Sequence, residues 1–379
     1  FSPGSGGGAR GSGVGVLGPG VTVGGAAVSP SRLQLVFAPI TESRSFELRL
    51  ARPDPLSAKD ATSLSLRLLV GRGAAAPAWR SEVLRVPLPP RATTDWRWSE
   101  IPARGGEGLR FVSWNVLFAR PLEDPEPFAR ILRALEPDIV LLQEWEKVDD
   151  LSLAAWFDRY VPQATPWHAL TSSGWGVALV SRTPLQRLGK MTLERPSGAP
   201  ADEFRPDQSL RMVAARTETA LGLVDVASVH LRCCGYAGSW QDRARVAEVT
   251  EMHKLLEASF GPDPTLRVVG GDFNLVGSRE PLAVLSTGLG LGGGDLRPSE
   301  PSLMGDRASY TWRSPHSRFT PGRLDWLLFD PATAMVVESF VFDSRGLQAG
   351  ALFQADVALA DSDASDHLAV VMDLSAPRP

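Results

Sequence analysis

Six apolar segments of this 379-residue chain begin or end in side chains that could hold a metal or move a proton. Arg110–Trp114 runs into Asn115, Pro137–Leu142 into Gln143-Glu144, and Val226–Val229 into His230. Val268-Val269-Gly270-Gly271 leads into Asp272-Phe273-Asn274, whose two polar side chains, two positions apart, share one face of an extended chain. Asp325 opens a fifth segment, and Asp366-His367 precedes the last. Taken singly, each is what an ordinary strand end carries. Together they collect carboxylate and amide oxygens, hard ligands that suit Mg²⁺ or Mn²⁺, where zinc would favour more His or Cys. Mg²⁺ that must also touch a phosphate is held by one or two carboxylates with water on the remaining positions. The histidines add groups that can be cationic beside a carboxylate. The chemistry implied is metal-assisted attack of water on a phosphate ester.

The elements that must position these residues alternate between strand and helix. Strands are expected at Leu109–Trp114, Ile139–Leu142, Val177–Val180, Met212–Ala215, Leu223–His230, Leu266–Val269, Leu324–Phe329 and Leu368–Met372. Helices are expected at Pro127–Leu135 and Asp242–Ala258, the latter with Val246, Val249, Met252 and Leu255 at helical spacing. This pattern reads as an α/β catalytic domain over residues 109–379, strands inside and helices outside.

Upstream the texture differs. Residues 1–30 hold 11 glycines and read as a flexible leader. Residues 31–102 carry alternating runs such as Phe46–Leu50 and Leu64–Leu68 between Pro, Gly and Asp clusters. A small antiparallel β-sandwich-like accessory domain is expected there, followed by a linker at 103–108. It shows no cluster of catalytic groups.

Charge divides along the same line: residues 1–105 have 13 basic and 7 acidic side chains, the remainder 26 and 36. An acidic excess in the larger part argues against tight, sequence-independent binding of long duplexes. No apolar run approaches the roughly 20 residues of a membrane-spanning helix. The two cysteines, Cys233 and Cys234, are adjacent and cannot staple distant parts of the fold; they read as buried small side chains or an unusual turn.

The ordered set Ser113-Trp114-Asn115, Leu141-Leu142-Gln143-Glu144, Val229-His230-Leu231, Gly271-Asp272-Phe273-Asn274, Arg323-Leu324-Asp325-Trp326 and Ser365-Asp366-His367 resembles the endonuclease/exonuclease/phosphatase superfamily. That superfamily includes pancreatic-type deoxyribonucleases, apurinic/apyrimidinic endonucleases, bacterial sphingomyelinases and inositol polyphosphate 5-phosphatases. The resemblance implies a two-layered α/β sandwich, two facing mixed β sheets flanked by helices, with the site at one edge. It implies that Glu144 is the principal metal ligand, with Asn115 beside it and Asp366 near the metal or a second metal position. It further implies that Asp272 and Asn274 orient the attacking water, that His230 contacts the phosphate, and that Asp325 holds His367 in its charged form. Leu117 stands where some relatives carry a carboxylate, which favours a single Mg²⁺ (or Mn²⁺). Arg211 either reaches the phosphate or pairs with a carboxylate.

The expected activity is divalent-metal-dependent hydrolysis of a phosphodiester, with nucleic acid, lipid headgroup and inositol phosphate as competing substrates and a phosphomonoester as a variant. A rival reading is a non-catalytic binding protein tethered by its β domain. His168, His253 and His316 have no motif context. Arg313, Arg318 and Arg323 could rim an anionic site, and Trp175, Trp240 and Trp312 lie near the motif loops, Trp312 reading as core. Gly174-Trp175-Gly176 and Gly292-Gly293-Gly294 lack the context of phosphate-cradling loops. A chain starting at Phe1, only 4 Lys among 39 basic residues, and the leader together suggest a bacterial protein, secreted or periplasmic and otherwise cytoplasmic.

Overall fold

All seven residues of the first strand of the larger unit, β1 (Leu109–Asn115), are buried, with Leu109 and Phe111 apolar on one face and Val112 and Trp114 on the other. Both faces are covered, and that arrangement organises the fold. The computed structural model describes residues 97–377 except 105–107, 173–174, 190–209, 262, 264, 277, 306–309, 316 and 318–320. Upstream it describes residues 21–23, 26–28, 35–39, 46–50, 63–66, 69–70, 79–80 and 82–87. His316, Arg318, Gly174, the centre of the expected linker and residues 1–20 of the expected leader lie outside the described residues.

The chain divides into two units, residues 1–96 with 313–322, and residues 97–312 with 323–379. The described strands of the smaller unit form antiparallel pairs: Val21–Val23 with Ala26–Val28, Leu35–Pro39 with Phe46–Leu50, Ser63–Leu66 with Leu84–Pro87, and Leu69–Val70 with Trp79–Arg80. The first of these pairs falls within the stretch expected to be a flexible leader.

The larger unit includes residues 97–104, which the sequence reading divides between accessory domain and linker. Trp98 N donates to Gly346 O at 2.7 Å and Gln348 N to Trp98 O at 2.9 Å, tying this segment down. After β1 come helix α1 (Pro125–Leu135), β2 (Ile139–Gln143), α2 (Asp150–Tyr160), β3 (His168–Thr171) and β4 (Ala178–Ser181). Then follow β5 (Met212–Thr219), β6 (Gly222–His230), α3 (Trp240–Ser259), β7 (Leu266–Asp272) and α4 (Glu280–Ser286). Strands β8 (Asp325–Phe329), β9 (Met335–Val341) and β10 (Val370–Ser375) complete the unit.

One sheet has the order β3-β4-β2-β1-β10-β9 with the short strand Ser302–Leu303 at its edge. The other runs from the short strand Gln186–Arg187 through β5-β6-β7-β8 to Arg297–Pro298. Each is mixed: β1 is parallel to β2 and antiparallel to β10, and β7 is parallel to β6 and antiparallel to β8. The two sheets face each other across a core to which Leu109, Phe111, Ile139, Leu141, Val226, Val268 and Leu327 contribute. Alternate residues of the same strands, Val112 and Trp114 among them, point outward and are covered by Phe128 and Leu132 of α1 and Phe157 of α2. On the other side Val249, Met252 and Leu256 of α3 and Leu285 of α4 cover Val229 and Val269. This is the two-layered α/β sandwich that the motifs implied, with two mixed sheets flanked by helices.

Candidate active site

Toward one end of the sandwich the inward-facing positions change from apolar to polar. On β1, Leu109 and Phe111 give way to Ser113 and Asn115; on β2, Ile139 and Leu141 to Gln143; on β6, Val224 and Val226 to Ser228 and His230. On β7, Leu266 and Val268 give way to Gly270 and Asp272, and β8 begins with Asp325. Period-two alternation therefore aims all of these side chains into one gap. A first polar layer bridges the sheets, Gln143 Nε2 donating to Ser228 Oγ at 3.1 Å and Ser228 Oγ to Leu142 O at 3.2 Å. The second layer is the candidate site.

Asp272 sits at its centre. Within the sheet its register partners are His230 on one side and Asp325 on the other. From the opposite sheet Asn115 Nδ2 reaches both Asp272 Oδ2 and Glu144 Oε1, each at 3.1 Å. Asn274 N donates to Asp272 Oδ1 at 2.9 Å and Asn274 Nδ2 to Oδ2 at 3.0 Å. His230 Nε2 and His367 Nε2 lie 3.6 and 3.7 Å from Asp272 Oδ2. His367 Nδ1 bonds Asp325 Oδ2 at 2.8 Å, and Thr311 Oγ1 donates to the same oxygen at 2.6 Å. Asp325 Oδ1 is buried without a hydrogen-bond partner.

Asn115, Glu144, His230, Asp272, Asn274, Asp325 and His367 are thus brought together, while two candidates lie differently. Asp366 Oδ2 accepts from Trp312 Nε1 at 2.9 Å, and Trp312, expected in the core, is only half-buried. Arg211 lies over the Trp175 ring at 4.2 Å and 3.7 Å from Glu248 Oε1. Of the arginines that could either rim an anionic site or lie on solvated surface, Arg323 is engaged with Ser299 O at 2.6 Å and the Trp326 ring at 3.7 Å. Arg313 belongs to the smaller unit. The cysteines, read as buried small side chains or an unusual turn, are exposed and sit on a turn with positive φ at Cys234 and Gly235.

Backbone strain concentrates here. Leu117, Phe118 and Ala119 have φ of 53°, 51° and 57°, Glu144 has 61° and Asn274 has 47°, all in a region costly for side chains other than glycine. What holds the three-residue turn is the site itself. Leu117 N donates to Asn115 Oδ1 at 3.1 Å, Phe118 N to Glu144 Oε2 at 2.9 Å and Ala119 N to Glu144 O at 2.7 Å.

Burial and charge set the protonation states. His230 is pushed down to about 3 by burial and by the charges of Arg211 and His367, so it is a neutral imidazole. Burial also opposes a charge on His367, but the carboxylates of Asp325 and Asp272 outweigh it and lift the imidazole to about 10. The Asp272 carboxyl is raised by burial and by the neighbouring Asp325 charge.

Several contributors carry no sequence motif. Thr311 Oγ1 accepts from the amides of Leu324 and Asp325, both at 3.0 Å, and so fixes the start of β8. Ser365 Oγ donates to Asn115 O at 2.7 Å and accepts from His367 N at 3.1 Å, joining two motifs distant in sequence. Ser365 could have been suspected from its place beside Asp366-His367; nothing marks Thr311.

Residues 112–367 match the profile of the endonuclease/exonuclease/phosphatase family. No curated protein sequence matches the chain significantly. Among solved structures it is similar to the catalytic domain of human nocturnin with bound sulfate, at 18% identity and TM-score 0.46, covering 73% of this chain and 97% of that one. It is similar to an AP endonuclease from Archaeoglobus fulgidus, at 17% identity and TM-score 0.47, covering 70% and 98%. A family protein from Bacteroides vulgatus shows 14% identity and TM-score 0.47, covering 71% and 99%.

Proposed function

The chain belongs to the endonuclease/exonuclease/phosphatase family of metal-dependent phosphoester hydrolases, and on that premise we propose that it is a phosphodiesterase working with a single Mg²⁺ or Mn²⁺. The observation that carries this reading is the convergence of Glu144, Asn115 and Asp272, and of Asp325 with His367, in one enclosed patch, with His230 Nε2 3.6 Å from Asp272 Oδ2. The donor set fits a hard divalent ion: oxygen ligands and a surplus of carboxylate around Glu144 and Asp272.

Glu144 would hold the cation, with its Oε1 steadied by Asn115 Nδ2. Asp272, Asp325 and His367 also bring one potential ligand atom each within 4.8 Å of one another. His367 Nδ1 is already engaged with Asp325 Oδ2 at 2.8 Å, so this trio is assigned to proton handling instead. When bound, the cation supplies Lewis-acid polarisation of a phosphoryl oxygen. Asp272, with its raised proton affinity, accepts a proton from the attacking water, and Asn274 fixes the Asp272 carboxylate through two bonds. His367⁺ stabilises charge developing on the phosphoryl oxygens, and neutral His230 donates to them. Asn115 acts as a donor bridging Glu144 and Asp272 rather than presenting its oxygen, which is taken by Leu117 N.

The test is hydrolysis of bis-p-nitrophenyl phosphate, plasmid DNA, RNA, sphingomyelin and inositol phosphates with Mg²⁺, Mn²⁺ or EDTA. Asp272→Ala and His367→Ala should each abolish turnover with the fold retained; near-normal rates in both would overturn the assignment. Among the described residues no helix is long and apolar enough to cross a membrane.

A further inference from the structure

We propose that Cys233 and Cys234 form a reversible vicinal dithiol–disulfide couple, a redox modification site on the loop that leaves His230. Their Sγ atoms lie 2.7 Å apart and both residues are exposed. The turn is already shaped for the pair: Cys234 has φ 71° and Gly235 φ 88°. The turn is clamped from beneath by the buried Arg245 of α3, whose Nη1 donates to Arg232 O at 2.9 Å and Cys234 O at 2.7 Å. Clamped neighbours lose less freedom on closing a ring than a mobile pair would. The chain has no third cysteine to compete for either thiol.

The two sulfurs differ in setting. Cys234 holds its proton, its thiol pushed up to about 11 by burial and by its contact with Cys233. Cys233 lies close enough to Arg211 for their charges to interact. Either exposed sulfur can open the exchange, and the step balances in the same way when Cys233 attacks first. As a thiolate it attacks one sulfur of a small-molecule disulfide such as oxidised glutathione; the S–S bond breaks, and the first glutathione leaves as a thiolate that takes up a proton. Cys234 then loses its proton and attacks the Cys233 sulfur, expelling the second glutathione. Two protein thiols are oxidised and one external disulfide is reduced to two thiols. Adjacent Cα atoms are about 3.8 Å apart, below the usual span of a disulfide, so the ring is strained and readily reduced.

Closure reshapes a loop joined to the candidate site. Glu248 accepts hydrogen bonds from the amides of Arg211 and Arg232, and His230 N donates to Arg211 O at 3.0 Å. Oxidation should therefore slow turnover; this part alone rests on the phosphoesterase reading.

The experiment treats the reduced full chain with oxidised glutathione and follows intact mass and free thiols. The expected product has lost two hydrogens and both thiols, carries no glutathione, and regains both thiols with dithiothreitol. Cys233→Ser and Cys234→Ser chains should each be able to form only a lasting mixed disulfide. A wild-type chain that keeps glutathione adducts, keeps both thiols, or links into dimers overturns the couple. Oxidised wild type should hydrolyse bis-p-nitrophenyl phosphate several-fold more slowly, with the double serine variant indifferent to oxidant. Equal rates overturn the coupling to the site. A chain inactive in both states removes the phosphoesterase reading while the mass result still decides the couple.

Discussion

His367 Nδ1 and Asp325 Oδ2 lie 2.8 Å apart in a fully enclosed contact, with the other imidazole nitrogen 3.7 Å from Asp272 Oδ2. One proton on Nδ1 is thereby fixed toward Asp325, and the second faces the carboxylate at the centre of the site.

The pair links protonation to folding. His367 is raised from 6.5 to about 10, so its contribution to stability is fully present below pH 6.5 and is lost as the pH climbs through about 10. Asp325→Asn keeps the shape and removes the charge. The variant should lose stability relative to wild type most at acidic and neutral pH, with the gap closing toward pH 10, as urea unfolding across pH will show. Its turnover should fall by about 10²–10³-fold, the usual worth of one group that stabilises charge in the transition state.

A second carboxylate acts in the opposite direction. Asp242 accepts from Gly238 N at 2.8 Å, Ser278 N at 3.0 Å and Arg245 Nη2 at 3.2 Å, so it staples the loop after His230 to the loop after Asn274. Burial works against its charge, but these donors outweigh burial and hold the carboxyl below its ordinary 3.8. Its stabilisation is present above pH 3.8 and lost as the pH falls through the lower folded value. Asp242→Asn should cost about 1.5–3 kcal/mol at pH 7, the range for hydrogen bonds to a charged group. That cost should vanish in strong acid, and thermal melts at several pH values measure it.

Most of the framework was legible in the sequence because it follows from alternation. The strands expected near 109–114, 139–142, 223–230 and 266–269 all form; the first, second and fourth run on to Asn115, Gln143 and Asp272, and the third ends at His230 as expected. Those polar ends escaped a hydrophobic reading because the inner face stays enclosed for two residues beyond the last apolar one. Helix α3 shows the limit of apolar spacing: its buried face includes Arg245 and Glu248, while Val246 and Leu255 are only partly covered. Both charged residues go under because they satisfy loop backbone, a demand that no helical periodicity encodes. Strand β9 and helix α2 gave too weak a pattern, and Thr311 acts through one hydroxyl that only the fold brings to Asp325.

Arg110 was another charge within an apolar run. It is 2% exposed and bonds Asp373 through Nε at 2.7 Å and Nη2 at 2.6 Å, with further bonds to Leu135 O and Pro102 O. Replacing it by Met leaves a buried carboxylate without its partner, expected to cost about 3–5 kcal/mol. Arg110→Met with Asp373→Leu should recover much of that loss, since neither charge then remains enclosed. Denaturant midpoints of the two variants test this, and the rate per folded molecule should stay near wild type because the pair lies outside the candidate site.

The tightest backbone approach lies one residue before Asp272. Gly271 has φ 140°, and a Cβ there would sit 1.9 Å from Val229 O and 2.9 Å from Val229 N and C. These are backbone atoms of the neighbouring strand, so no side chain can move aside. Gly271→Ala must push β6 away from β7, and the next residue on each strand is His230 and Asp272, which are register partners. Misplacement of a reacting group by about 1 Å can cost 10²-fold in rate, and the backbone strain adds about 1–3 kcal/mol of destabilisation. Gly350→Ala is the control: a Cβ at Gly350 meets nothing within 4 Å, and this residue lies in the short helix Ala349–Gln354. Unfolding and turnover measured on both should separate them, Gly271→Ala losing stability and nearly all activity, Gly350→Ala keeping both. Normal turnover in Gly271→Ala would show that His230 and Asp272 need not be held in register, against the assignment of Asp272 as the centre of the site.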